Sequence, residues 1–164
     1  MAKIKQQDVY FEWCMDKSDA KSEVINFWHR MNVDPKAFDF DRRSQYVALT
    51  ARSPTGEIIA ITTAERTLIR RLNHNYFFNY RILISPEVRY PGLADKMGVT
   101  TIQQLEYLWS EGKTDCIGLI TLVENEHLKK YRKEMVWAST KFTFIGVSNA
   151  GSHIRVRYFK GARI

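Results

Sequence analysis

The sequence predicts an α/β domain: a mixed, mostly antiparallel sheet with flanking helices. Three observations carry this. Seven short apolar segments read as strands and three segments show helical spacing. Turn residues at Ser53-Pro54-Thr55-Gly56 and Ser148-Asn149-Ala150-Gly151 tie neighbouring strands into hairpins. The order strand, helix, hairpin, long strand, helix, strand, helix, hairpin contains one strand–helix–strand crossover, between the fourth and fifth strands.

The elements follow in order. Asp8 to Cys14 is the first strand candidate. Ala20, Val24, Phe27, Trp28 and Met31 recur at helical spacing, with Ser18-Asp19 as the expected cap and Asn32-Val33-Asp34-Pro35 as the stop. The chain through Asp41 reads as irregular. Tyr46 to Ala51 and Glu57 to Thr63 form the first hairpin, and Tyr76 to Ser85 a long strand after an exposed turn at Asn73-His74-Asn75. Leu93, Met97, Ile102, Leu105, Leu108 and Trp109 share a helical face that runs to about Ser110. Gly98, Thr100 and Thr101 are expected to loosen its middle. Asp115 to Val123 is an apolar strand, and Glu124 to Met135 a helix with Leu128, Tyr131 and Met135 on one face. Trp137 to Val147 and His153 to Phe159 close the chain as a hairpin. In the last strand Ile154, Val156 and Tyr158 alternate with Arg155 and Arg157, which predicts one buried and one basic face.

At 164 residues, without repeat or linker, the chain 1–164 is expected to be a single domain with a substantial core. Hydrophobic residues at 45% and aromatics at 13% exclude a disordered chain. No apolar run approaches the ~18 residues of a membrane span, and residues 1–8 hold no signal-peptide core, so the expectation is a soluble cytoplasmic protein without membrane contact. Cys14 and Cys116 are too few for a disulfide framework and read as buried free thiols. His29, His74, His127 and His153 show no metal-ligand spacing, so no metal is expected. The net charge of +7 suits anionic partners, nucleic acid or cofactor phosphates, unless the basic clusters are ordinary solvated faces.

The richest stretch is Ile84-Ser85-Pro86-Glu87-Val88-Arg89-Tyr90-Pro91-Gly92-Leu93-Ala94. A strand, a glycine-containing turn and a helix start make an anion site, because first-turn N–H groups lack partners and the macrodipole adds positive potential. Gly92 and Ala94 let a phosphate approach the backbone, and Arg89 can add a bidentate contact. It is neither a Gly-Lys-Ser/Thr nucleotide loop nor a Gly-x-Gly-x-x-Gly turn. The same residues also read as an ordinary strand-to-helix turn.

This stretch resembles the acyl-CoA-binding motif of the GNAT N-acyltransferases. That motif has Arg or Gln, two residues, Gly, one residue, then Gly or Ala, after an apolar residue, one residue and Pro. Arg89, Gly92, Ala94, Ile84 and Pro86 fit it, and the element order is similar to the GNAT fold along nearly the whole chain. The resemblance implies splayed central parallel strands and bound acetyl-CoA or another acyl-CoA. Leu83, Ile84, Ser85 and Val88 would line the pantetheine and hold the thioester. The backbone of Arg89, Tyr90, Gly92, Leu93 and Ala94 would hold the pyrophosphate, although Tyr90 stands where a Gly is frequent. A second family motif after the fifth strand matches in two registers, Asn125 with Trp137 or Tyr131 with Lys133. It implies Asn125 at the cofactor and Tyr131 as the acid that protonates the departing thiolate. Tyr131 equally reads as a half-buried helix residue packing on the sheet. Glu65 is the nearest carboxylate for a general base, and equally a surface partner of Arg66 or Arg70.

The reaction so implied is direct attack of an amine on the thioester, the amine being small or part of a protein. A nucleic-acid acceptor is the alternative. Arg81 beside Ile82, Leu83 and Ile84 resembles the strand start of phage Mom-type DNA-modifying relatives and of tRNA-acetylating ones; Tyr80 and Arg81 would then meet the substrate, and Arg155 and Arg157 would supply a basic surface. A non-catalytic CoA-binding module of the same fold is a third reading.

Overall fold

The computed structural model describes residues 8–17, 19–88 and 91–164. In chain order the elements are β1 (Tyr10–Trp13), α1 (Lys21–Arg30), α2 (Phe40–Ser44), β2 (Val47–Arg52), β3 (Ile58–Ile69) and β4 (Asn75–Ile84). They continue with α3 (Leu93–Ser110), β5 (Gly118–Val123), α4 (Glu126–Tyr131), β6 (Thr143–Val147) and β7 (His153–Tyr158). The strands form one sheet in the order β1-β2-β3-β4-β5-β7-β6. The pairs β1–β2, β2–β3, β5–β7 and β6–β7 are antiparallel and β4–β5 is parallel, as the element order predicts. The parallel ladder registers Phe78 with Leu119 and Asn79 with Ile120; β4 runs on to Ile84 and β5 to Val123.

Two compact units divide the described residues. One holds those up to Thr63 with Ile82–Thr101; the other holds Ala64–Arg81 and Ile102–Ile164. In the first unit strand alternation feeds two apolar clusters. One gathers Val24, Phe27 and Trp28 of α1 with Phe40, Val47, Ile58 and Ile61, and Leu83 packs against it. The other gathers Leu49, Ala51, Ile59, Val88, Leu93 and Met97, with Ile82 and Ile84 against it. Arg52, at the end of β2, is held by Glu23 of α1 at 2.6 Å and by the Gly56 carbonyl at 2.8 Å.

In the second unit Phe77, Ile117 and Val156 form a cluster joined by Ile69, Leu72, Ile120 and Ala162. Phe159 meets Trp109 and Phe78, and Tyr80 meets Phe142 at 5.7 Å between ring centroids. Gly118 is needed here, because a Cβ at that position would collide with the Arg157 carbonyl oxygen of the paired strand.

Several expectations are corrected. The residue capping α1 is Ala20, without a side-chain cap bond, and Ser18 lies outside the described residues. The stretch read as irregular contains α2, whose first turn is closed by the Asp39 carboxylate accepting the Arg42 N–H at 3.0 Å. α3 is continuous; Thr101 does not loosen it, because its hydroxyl is buried against that of Thr62 at 3.0 Å. β3 reaches Ile69, which places Glu65 within the strand. α4 spans six residues, none of them buried, so Leu128, Tyr131 and Met135 form no core face. The residues read as the start of β6 form a loop, tied to it by the Val136–Thr143 bridge. Among the described residues no helix is long and apolar enough to cross a membrane, and no His, Cys, Asp and Glu cluster could hold a metal ion.

Candidate functional site

The turn read as a phosphate site lies, in its described residues, within the first unit. The Ser85 N–H donates to the Ile59 carbonyl of β3 at 2.8 Å, and the Val88 N–H to the Ser85 carbonyl at 3.0 Å. Backbone direction alternates along a strand, so the polar groups of Ile82 and Ile84 face the β4 edge away from β3. Of the predicted Leu83–Val88 lining, Ser85 and Val88 therefore spend their amides internally, and the Leu83 and Val88 side chains belong to the core clusters.

Gly92 has φ +88° and, among the described residues, nothing within 4 Å of where a Cβ would stand, so it uses a left-handed backbone that leaves room on that side. Its carbonyl accepts the Lys96 N–H at 2.9 Å and opens the α3 ladder. Leu93 is buried and anchors the helix, whereas Ala94 is exposed. The first N–H groups of an 18-residue helix thus stand beside a glycine that leaves room for a ligand. Arg89 and Tyr90, also predicted here, lie outside the described residues.

The other predicted site residues belong to the second unit. Asn125 caps α4, its Oδ1 accepting the Leu128 N–H at 3.1 Å. Tyr131 is 61% exposed; it does not pack on the sheet but stacks with His127 at 4.6 Å and lies 5.3 Å from the Lys130 ammonium. Glu65 is half-buried on β3. Arg66, one of its two suggested partners, is gripped by Asp115 at 2.6 and 2.7 Å and stacks 3.4 Å over Tyr76. That pairing holds the Asp115 carboxyl below the usual carboxylate range and raises the Arg66 guanidinium. Tyr80 is a core residue and Arg81 is half-buried.

The basic face expected on β7 is absent at Arg155, which is 1% exposed. Its guanidinium donates to the carbonyls of Arg132, Met135 and Phe142 at 3.0–3.3 Å and lies 4.3 Å over the Trp137 ring. The 132–142 segment covers it. Burial, the dominant cause, lowers its pKa; nearby Glu134 opposes that. Arg157 is half-buried and donates to the Thr140 carbonyl at 3.4 Å. Period-two alternation showed that these arginines share a face, but not that a loop covers it.

Both cysteines are buried free thiols, as read from the sequence. Burial pushes the Cys116 thiol up to about 11 and raises Cys14 as well, the latter against the lowering bond to the Thr50 hydroxyl. A thiol reagent at about pH 8 is therefore expected to find no reactive thiol in the folded protein and both after denaturation. Rapid native reaction of either would contradict this placement.

No protein-family model matches the chain, and no curated protein does. Solved structures do. The chain is similar to a ribosomal-protein-S5-alanine acetyltransferase from Vibrio fischeri, at TM-score 0.63 and 10% identity over 100% of both chains. It is similar to Arabidopsis thaliana NAA60 in complex with acetyl-CoA, at 0.56 and 14% identity over 93% of this chain and 99% of that one. A third structure, a KacTA–DNA complex, matches at 0.59 and 13% identity over 93% and 94%. The resemblance to a Mom-type branch finds no support among them. At such identities the likeness is one of fold, and the fold of this chain is that of the GNAT acetyltransferases.

Proposed function

We propose that the chain acts as one acyl-CoA-dependent N-acyltransferase domain that moves an acetyl group from acetyl-CoA to an amine. The observation that carries this reading is Gly92, left-handed and with room on its Cβ side among the described residues, at the head of α3 directly after β4. A diphosphate is best held by such an array of N–H donors, and an acetyl-CoA complex among the fold neighbours supports the ligand's identity.

Leu93 and Ala94 would donate their N–H groups to the pyrophosphate, with Gly92 leaving the room for it. Arg89 and Tyr90 join this assignment on sequence alone. Ile82 and Ile84, whose backbone groups face the β4 edge away from β3, would hydrogen-bond the pantetheine and polarise the carbonyl oxygen. Bound acetyl-CoA supplies the thioester carbonyl that an amine attacks. Attack needs a neutral amine, and Glu65 is assigned to take the proton, directly or through water. Tyr131 is assigned to give a proton from its hydroxyl as the thiolate departs. Asn125, whose Oδ1 caps α4, stays assigned to the cofactor on the family resemblance alone.

The test separates rate from binding. Tyr131→Phe is expected to lower turnover about 100-fold while acetyl-CoA affinity stays within about twofold, because a general acid acts mainly in the transition state. Glu65→Gln should behave likewise. An unchanged rate in either variant removes that residue from the mechanism and returns the proton step to water. A nucleic-acid acceptor remains the second reading, favoured by where the chain carries its charge.

A further inference from the structure

The net charge is confined to one of the two units. The unit formed by Ala64–Arg81 and Ile102–Ile164 carries 14 Lys and Arg against 7 Asp and Glu, a net +7; the other carries 11 of each. Within the basic unit two stretches hold no Asp or Glu: residues 66–81, which contain the β3–β4 hairpin tip, and residues 135–164. The fold brings these stretches to one apolar cluster. Ile69 and Leu72 from the hairpin and Ala162 from the C-terminal tail all pack on Phe77, Ile117 and Val156.

That packing sets the charges outward. Arg70 and Arg71 lie between Ile69 and Leu72, Lys160 and Arg163 flank Ala162, and all four are exposed and form no ion pair among the described residues. The tip is held by the His74 N–H on the Arg70 carbonyl at 3.3 Å, with Asn73 and His74 left-handed. Tyr158, 47% exposed, meets Phe77 of the same cluster edge-on at 5.7 Å. Asp115 grips Arg66, and Glu106 accepts the Lys160 backbone N–H at 2.8 Å.

We infer that the β3–β4 hairpin tip and the C-terminal tail form a docking surface for single-stranded nucleic acid. Arg70, Arg71, Lys160 and Arg163 take phosphates, and the exposed ring of Tyr158 takes a base. Four unpaired cations alone would suit any polyanion; an exposed ring on the same apolar cluster offers a stacking platform that a lipid headgroup does not use. The surface is distinct from the Arg155–Arg157 face read from the sequence. It stands apart from the acyl-transfer reading, because binding is measured without acyl-CoA and either can fail alone.

The probe is a fluorescent 20-nucleotide single-stranded oligonucleotide, as RNA and as DNA, titrated by anisotropy over a range of salt. Four phosphate contacts give an expected slope of about −3 on the log–log salt plot. The double variant Arg70→Gln, Arg71→Gln should flatten it by about 1.4, whereas Lys17→Gln with Lys36→Gln, two exposed cations of the neutral unit, should leave it unchanged. Tyr158→Leu keeps an apolar contact with Phe77 but loses the stacking ring, so affinity should fall about tenfold. Thermal melts of each variant check folding. Absence of oligonucleotide binding at low salt overturns the inference, as does a slope that the tip variant leaves unchanged. Binding to phosphatidylserine vesicles without oligonucleotide binding would make the patch a membrane surface and overturn it equally.

Discussion

Arg155→Ala is expected to lower the unfolding free energy by about 3 kcal/mol, read from urea denaturation. The side chain is among the largest of the fully buried ones, and its guanidinium serves three carbonyl oxygens of the 132–142 segment. Each carbonyl left without a donor costs about 1 kcal/mol or more, and the vacated volume adds a cavity cost. The aromatic faces of Trp137 at 4.3 Å and Phe144 at 5.9 Å lose their cation. Arg155→Lys should fall between, because an ammonium cannot reproduce the planar fork that reaches three acceptors. Arg157→Ala should cost less, since that residue is half-buried with one recorded bond of 3.4 Å. A loss below about 1 kcal/mol for Arg155→Ala would mean that other contacts hold the segment.

The second large effect is on ligand binding and leaves stability nearly untouched. Gly92→Asp is expected to weaken acetyl-CoA binding by at least about 100-fold, since it sets a carboxylate where the proposed function would place the pyrophosphate. The fold should survive. No other described residue lies within 4 Å of a Cβ at this position, and Asp tolerates a left-handed backbone better than most side chains. A carboxylate at a helix N-terminus is itself favourable by a few tenths of a kcal/mol, so the melting temperature should hold. Gly92→Ala, strained but uncharged, should lose far less affinity, and the gap between the two measures the electrostatic part. Equal losses would point to backbone strain rather than anion binding.

The elements most legible in the sequence were those with local chemistry. Gly56 at φ +87° closes the first hairpin, and Asn73 with His74, both left-handed, turns β3 into β4. Sustained helical spacing set α3 within a residue or two. The β4–Gly92–α3 join was legible because it combines a strand, a left-handed glycine and a helix start. Features decided by long-range cover were not. The five-residue α2 is too short to show a period; only Asp39 marks it. The apolar face of α4 suggested burial, yet Met135 is 64% exposed. Alternation put Arg155 and Arg157 on one face and could not show the loop that closes over it. The assembly of the hairpin tip with the tail was equally hidden, because Leu72 and Ala162 are 90 residues apart in sequence.

The most direct measurement is calorimetric titration of the folded wild-type chain with CoA and with acetyl-CoA. Saturable binding in the micromolar range is expected from both, because the adenosine diphosphate end that the turn would hold is common to them. A flat isotherm from protein with a native far-ultraviolet spectrum and a cooperative melt would contradict acyl-CoA binding at the β4–α3 turn.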